Sequence, residues 1–156
     1  MSEHRATILW TRKDHPFAGG AYDRTHTIRY QGGSELVASS APQYAGNPAL
    51  PNPEEQLAAA VSTCHMLTFL ALASKRGYVV DTYRDEAASV LGPGDDKRIG
   101  VTDVRLQPEV IFRGPKEPTQ EELAKLHETA HDGCFVARAL KARVHIEPAR
   151  RPEPAR

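Results

Sequence analysis

Asn52-Pro53-Glu54-Glu55-Gln56-Leu57-Ala58-Ala59-Ala60-Val61-Ser62-Thr63-Cys64-His65-Met66-Leu67-Thr68-Phe69-Leu70-Ala71-Leu72-Ala73-Ser74-Lys75-Arg76-Gly77 is the stretch whose reading decides the fold. Asn52 can cap a helix, and Pro53 suits the first helical position, where its missing N–H costs nothing. Glu54 and Glu55 then put acids at the positive end of the helix dipole. Gly77 supplies the stop. Between these signals, Leu57 to Ala73 is apolar on nearly every side, interrupted by Ser62, Thr63, His65 and Thr68. A helix of that kind is buried all round, in a large core or between subunits. A chain of 156 residues has few ways to wrap so long a helix completely, so part of it is expected to pack against a second chain. The four polar residues and the mid-chain position argue against a membrane span or a signal peptide.

Outward from this helix the chain reads as strands. Ala6–Trp10 is a short β-prone run, and 14–20 is a loop rich in breakers. From Tyr22 to Tyr30 the sequence alternates, with Tyr22, Arg24, His26, Ile28 and Tyr30 on one face. Gly32-Gly33 predicts a turn and Glu35–Ala38 a third strand, followed by a proline-rich loop, 41–53. Beyond Gly77, strands are expected over Tyr78–Val90, Gly100–Gln107 and Pro108–Phe112, with a hairpin loop at Gly92-Pro93-Gly94-Asp95-Asp96. Thr119 and Glu122 form a capping-box signature for a helix reaching about His131, with Gly133 as its left-handed end. A short helix from Cys134 to Leu140 and a strand from Ala142 to Glu147 follow. This order predicts an α+β fold of antiparallel sheets with a long central buried helix. A single domain is expected over 1–147. The tail 148–156, rich in proline and arginine and repeating Glu-Pro-Ala-Arg, reads as disordered.

Lys plus Arg and Asp plus Glu number 20 each, so the charge balance points to neither a nucleic-acid nor a membrane partner. No apolar leader follows Met1, and a cytoplasmic location is the expectation. In such a compartment the two cysteines are not expected to form a static staple. They are either buried thiols or a reactive pair. Cys64 sits mid-helix, and its neighbours one turn away are Ala60, Val61, Leu67 and Thr68, with no cation to favour a thiolate. Any activating group must therefore come from elsewhere in the fold. Cys134 follows His131-Asp132-Gly133, where a helix is predicted to begin. It either gains a lowered pKa there or plugs the junction as a small apolar residue.

Glu54 lies ten residues before Cys64, ~15 Å along a straight helix, and cannot touch it. It either stabilises the helix dipole or serves a site in another subunit. Tyr22, Arg24 and His26 form either a solvated strand face or a site in which the guanidinium fork holds a thiolate and an acid together. For zinc, Cys64-His65 and His131 with Cys134 were the candidate ligands. Adjacent helical residues diverge by about 100° and no C-x-x-C exists, so no metal is expected.

These residues carry a resemblance. The block Asn52–Met66 resembles the central helix of the OsmC/Ohr family, the osmotically inducible protein C and organic hydroperoxide resistance proteins. The block Ala130-His131-Asp132-Gly133-Cys134-Phe135-Val136-Ala137 resembles the family's second cysteine segment. Tyr22-x-Arg24-x-His26 and Cys64-His65-Met66 resemble an OsmC-like subgroup. The resemblance implies an intertwined homodimer with the long helices at its centre. It implies Cys64 as the peroxidatic cysteine, Cys134 as the resolving one, and Glu54 as the acid that orients an arginine. Ohr-type members carry that arginine in a Gly-Arg-Asp-Gly loop, which this chain lacks. Arg24 takes the role here, with Arg12 in reserve.

The implied activity is reduction of an organic hydroperoxide, without cofactor, and with a small dithiol or a dithiol protein as reductant. His26, Leu67, Phe69 and Phe135 would line the substrate. Burying an alkyl group there, at ~0.8 kcal/mol per methylene, would favour organic over hydrogen peroxide. The alternative is a non-catalytic member of the fold that binds a small ligand or senses redox state.

Overall fold

The decisive stretch forms one continuous helix, α1 (Pro53–Lys75), in a computed structural model that describes residues 1–148. Its start is a full capping box. The Glu55 N–H donates to Asn52 Oδ1 and the Asn52 N–H donates to Glu55 Oε2, each at 2.9 Å. Glu55 therefore does more than face the dipole. At the other end Gly77 takes φ +77°, the Tyr78 N–H reaches Ala73 O and the Gly77 N–H reaches Ser74 O. That pair of bonds is a Schellman stop, which the glycine permits. The helix is not buried all round within its own chain. Ala58, Val61, His65, Phe69 and Ala73 form one buried seam, while Ala60, Thr63, Leu67 and Ala71 stay exposed at helical spacing.

The chain divides into two compact units, residues 1–56 and residues 57 onward. In the first, β1 (Ala6–Leu9), β2 (His26–Tyr30) and β3 (Glu35–Ala38) form an antiparallel sheet in that order. Ile8 faces Ile28, and His26 faces Ala38. The strand expected from Tyr22 starts only at His26. Asp23 Oδ1 accepts the Thr25 N–H at 2.9 Å, and this local turn holds residues 22–25 out of the ladder. The loop after β3 contains a 3-10 turn at Pro42–Tyr44. It is pinned by Ser39, whose N–H donates to Pro51 O and whose Oγ accepts from the Asn47 N–H. Gly46 passes so close to Ser40 O that a Cβ would sit 1.6 Å from it, so only glycine fits.

In the second unit, β4 (Val80–Asp85) pairs with β7 (Pro108–Phe112), and β5 (Ala88–Pro93), β6 (Ile99–Leu106) and β8 (Arg143–Ile146) form a three-stranded sheet with β6 central. The run Tyr78–Val90 is thus two strands in different sheets. Asp85 marks the break: its carboxylate accepts from Ser62 Oγ on α1 and from the Gln107 N–H between β6 and β7. The hairpin turn lies at Gly94–Arg98, two residues later than expected, with β5 running through Gly92 and Pro93.

β6 and β8 are parallel. A parallel pair needs a crossover. It passes through α2 (Gln120–Asp132) and α3 (Phe135–Arg138). Thr119 and Glu122 make the expected capping box. Gly133 does not take the left-handed conformation: its φ is −84°. Glycine is needed for space instead, because a Cβ there would lie 3.0 Å from Thr68 Cγ2 on α1.

Two apolar clusters fill this unit. Phe69, Ala73, Tyr78, Val110, Phe112, Leu126 and Ala130 join the second half of α1 to the β4–β7 sheet and α2. Val61, Val104, Leu106, Cys134 and Ala137 join its first half to β6 and α3. A fully buried Leu or Phe in such a cluster stabilises by about 1.5–3 kcal/mol. The disorder expected for the Glu-Pro-Ala-Arg tail falls almost wholly outside the described residues.

Candidate functional site

The two thiols meet in the second cluster. α1 holds Cys64 half-buried, packed against the group that contains the fully buried Cys134. Thr68 Oγ1 donates back to Cys64 O at 2.9 Å, one turn along the helix. Cys134 is the cap of α3: its Sγ accepts the Ala137 N–H at 3.4 Å and lies 3.9 Å from Val61 O. Burial pushes the Cys134 thiol up, the Ala137 N–H partly offsets this, and the neighbouring Cys64 thiol raises it again. The lowered pKa that its helix-start position suggested is therefore overturned. α3 is only four residues long, and desolvation outweighs its N–H groups.

Leu67, one turn beyond Cys64, is 59 % exposed, and Phe135, directly after Cys134, is 80 % exposed. Phe69 lies elsewhere. It is fully buried and stacked against His127 with ring centroids 4.5 Å apart.

In the N-terminal unit, Arg24 is held rather than free. Nη1 donates to Tyr22 O at 2.9 Å, Nη2 donates to Gly20 O at 3.2 Å, and the guanidinium lies 4.2 Å from the Tyr22 ring centroid. His26 is oriented by Nδ1, 2.9 Å from Arg24 O. Both residues line a cavity of about 870 Å³. Glu54 is half-buried and its Oε2 has no hydrogen-bond partner. Among the described residues no carboxylate forms an ion pair with Arg24. Arg12 donates to His15 O at 3.2 Å in the loop that follows β1.

Sequence reasoning weighed His65 only as a metal ligand and passed over His127. The two form a buried pair, His65 Nε2 to His127 Nδ1 at 3.1 Å, with rings nearly parallel at 5°. Burial lowers His65 to about 4, helped by His131 and opposed by Asp85. Burial and His65 lower His127 to about 4. The outer nitrogens, His65 Nδ1 and His127 Nε2, have no partner. The available signal was position: His65 continues the Val61–Phe69 seam at a spacing of four. Among the described residues no group of three or more His, Cys, Asp or Glu is gathered to hold a metal ion.

A long helix bearing one thiol, packed with β-strands that are mostly antiparallel and with a second thiol that caps a short helix, defines an α+β protein built around a cysteine pair. The chain belongs to the OsmC family: the model described as OsmC-like protein matches residues 46–149. An OsmC-like protein of unknown function from Vibrio cholerae O1 biovar eltor shares 41 % identity and a TM-score of 0.92, over 96 % of this chain and 100 % of that one. Two more distant structures share the fold. An organic hydroperoxide resistance protein OsmC from Legionella pneumophila has 16 % identity and a TM-score of 0.68, over 95 % and 96 % of the two chains. The organic hydroperoxide resistance protein OhrB of Bacillus subtilis has 18 % identity and a TM-score of 0.67, over 95 % and 98 %. Among curated proteins none matches.

Proposed function

We propose that this chain is a two-cysteine thiol peroxidase that reduces organic hydroperoxides. The observation that carries the reading is the unequal cysteine pair: Cys64 is reachable, and Cys134 is sealed against it in the same cluster. The Cys64 thiolate attacks the outer oxygen of the hydroperoxide. The O–O bond breaks, the alcohol leaves with a proton, and Cys64 becomes a sulfenic acid. The Cys134 sulfur then attacks the Cys64 sulfur, water leaves, and a disulfide forms. A small dithiol or a dithiol protein restores both thiols. Arg24 and Glu54 belong to the proposal as the groups that make Cys64 reactive. Leu67 and Phe135 favour an apolar substrate.

The proposal includes a homodimer. The exposed stripe Ala60, Thr63, Leu67 and Ala71 is the surface we assign to the second copy. By length and composition α1 would also qualify as a membrane span. Core helices of soluble proteins meet the same criterion, and our reading places α1 in such a core.

The test is stopped-flow mixing of the reduced protein with cumene hydroperoxide. Wild type should lose both thiols quickly. Cys134→Ser should stop at a Cys64 sulfenic acid that a dimedone probe captures, and Cys64→Ser should not react. A wild-type rate no faster than a free thiol would sink the proposal. For Arg24, an unchanged Cys64 thiol pKa in Arg24→Ala would remove it from the site.

A further inference from the structure

The Cys134 sulfur has a second role, which disulfide formation must interrupt. It fastens α3. Sγ accepts the Ala137 N–H at 3.4 Å, the place that a Ser, Asp or Asn oxygen takes at most helix starts. α3 has little else to hold it. It spans four residues, and a helix so short has no stability of its own. Its backbone is closed by one bond of α type, Arg138 N–H to Cys134 O, and by two tighter ones, Ala139 N–H to Val136 O and Leu140 N–H to Ala137 O, each at 3.1 Å. Ala137 is the residue it buries, in the cluster that also holds Cys134, Val61 and Leu106.

The two cysteines are free thiols, so bonding them requires one sulfur to move. The chain at the start of α3 has no room to slide toward α1. Gly133 lies against Thr68, where even a Cβ would come within 3.0 Å of Cγ2. Thr68 stands one turn beyond Cys64, and its Oγ1 is tied to Cys64 O. The approach therefore falls to rotation of the Cys134 side chain. That torsion is the one that now holds Sγ on the Ala137 N–H.

We propose that oxidation unfastens α3: when the Cys134 sulfur bonds to Cys64 it leaves the Ala137 N–H, the one-turn helix opens, and residues 135–140 become a segment that only the oxidised protein exposes. The proposal rests on the Cys64–Cys134 pairing given above as the function, and it adds a device to it. Cys134 is fully buried in the reduced fold. A dithiol protein must reach the disulfide to reduce it, and an opened α3 clears its path. Reduction returns the sulfur to the amide and closes the segment again.

The experiment is peptide-level hydrogen exchange on the full-length protein, reduced and after oxidation with diamide. Diamide takes one hydrogen from each thiol and becomes the hydrazine, so the disulfide forms whether or not the protein reacts with peroxides. A mass lower by two hydrogens confirms it. Amides in 135–140 should then exchange about five-fold faster, the effect of losing a cap of ordinary strength, while those of α1 stay unchanged. Reduced Cys134→Ala, which lacks the cap, should already exchange at the oxidised rate. Cys134→Ser, whose hydroxyl restores it, should match reduced wild type before and after diamide. Trypsin should cut after Arg138 in the oxidised protein and spare the reduced one. Unchanged exchange in the oxidised protein, reduced Cys134→Ala behaving as reduced wild type, or failure of diamide to join the two sulfurs each overturns the proposal. Inertness toward cumene hydroperoxide with the diamide results intact would instead remove the peroxidase reading alone.

Discussion

Acidification from pH 7 to pH 5 should strip stability through one pair of side chains, His65 and His127. Both are buried in the unit formed from residue 57 onward, and both are held near 4 against an ordinary value of 6.5. Burial is the main cause for each. Protonating either would also place a charge 3.1 Å from its partner's nitrogen. Between pH 6.5 and 4 the unfolded chain therefore binds protons that the folded chain refuses. Stability rises with pH through that window, falls on acidification, and levels off below about pH 4. For one such histidine the loss between pH 7 and pH 5 is about 2 kcal/mol, and for the pair about 2–4 kcal/mol. The assay is urea denaturation at the two pH values for wild type and for His65→Leu/His127→Leu. Replacing both partners by apolar groups removes the orphaned nitrogens as well as the titration. The double variant should lose about 2–4 kcal/mol less than wild type over the same interval. A direct check is the NMR titration of the two ring Cε1–H signals, which should stay in the neutral position above about pH 5. Equal acid sensitivity in the two proteins, or a ring titrating near 6.5 in the native state, refutes the reasoning.

Three smaller perturbations test other joints of the structure. Gly133→Ala pushes a methyl toward Thr68 Cγ2 and should cost about 1–3 kcal/mol in denaturant unfolding. Thr68→Ser removes that methyl and should recover most of the loss when combined with it. Asn52→Ala breaks the box that starts α1 and should cost about 1 kcal/mol, read as a shift of the urea midpoint at constant slope. Leu67→Asp puts a charge on the exposed stripe of α1. It should convert the proposed dimer to monomer in light scattering, and an unchanged mass would rule that face out.

Much of this fold could be read from punctuation. Asn52, Pro53 and Gly77 bounded α1, and Thr119 with Glu122 began α2, because capping is local chemistry that the sequence displays directly. Failures came where a distant partner decided the outcome. Tyr78–Val90 reads as one strand, yet Asp85 is tied to Ser62 and to Gln107, and the chain changes sheets there. Gly133 reads as a left-handed cap. Its real constraint is the methyl of Thr68, 65 positions earlier in the sequence. At the candidate site the cysteines and Arg24 were visible as residue types. The direction of the Cys134 shift was not, because it depends on how completely Val61, Val104, Leu106 and Ala137 enclose it.

That shift bears on why two cysteines in such different settings would work together. A second thiol with a low pKa would compete for the peroxide and expose itself to overoxidation. Cys134, raised by burial and fully shielded, remains a protonated bystander while Cys64 is reduced. In the reaction we propose, once Cys64 becomes a sulfenic acid the geometry compensates for low thiolate content. The attacking sulfur is already packed against its target, and such proximity can replace ~7–11 kcal/mol of the barrier that two separate molecules face. The proton leaves with the departing hydroxyl as water, so no free thiolate need build up. On this reasoning a change that exposes Cys134 without moving it, such as Ala137→Gly, should leave disulfide formation fast. It should also make Cys134 accessible to alkylating reagents before any peroxide is added, whereas wild-type Cys134 should stay unmodified until the protein unfolds.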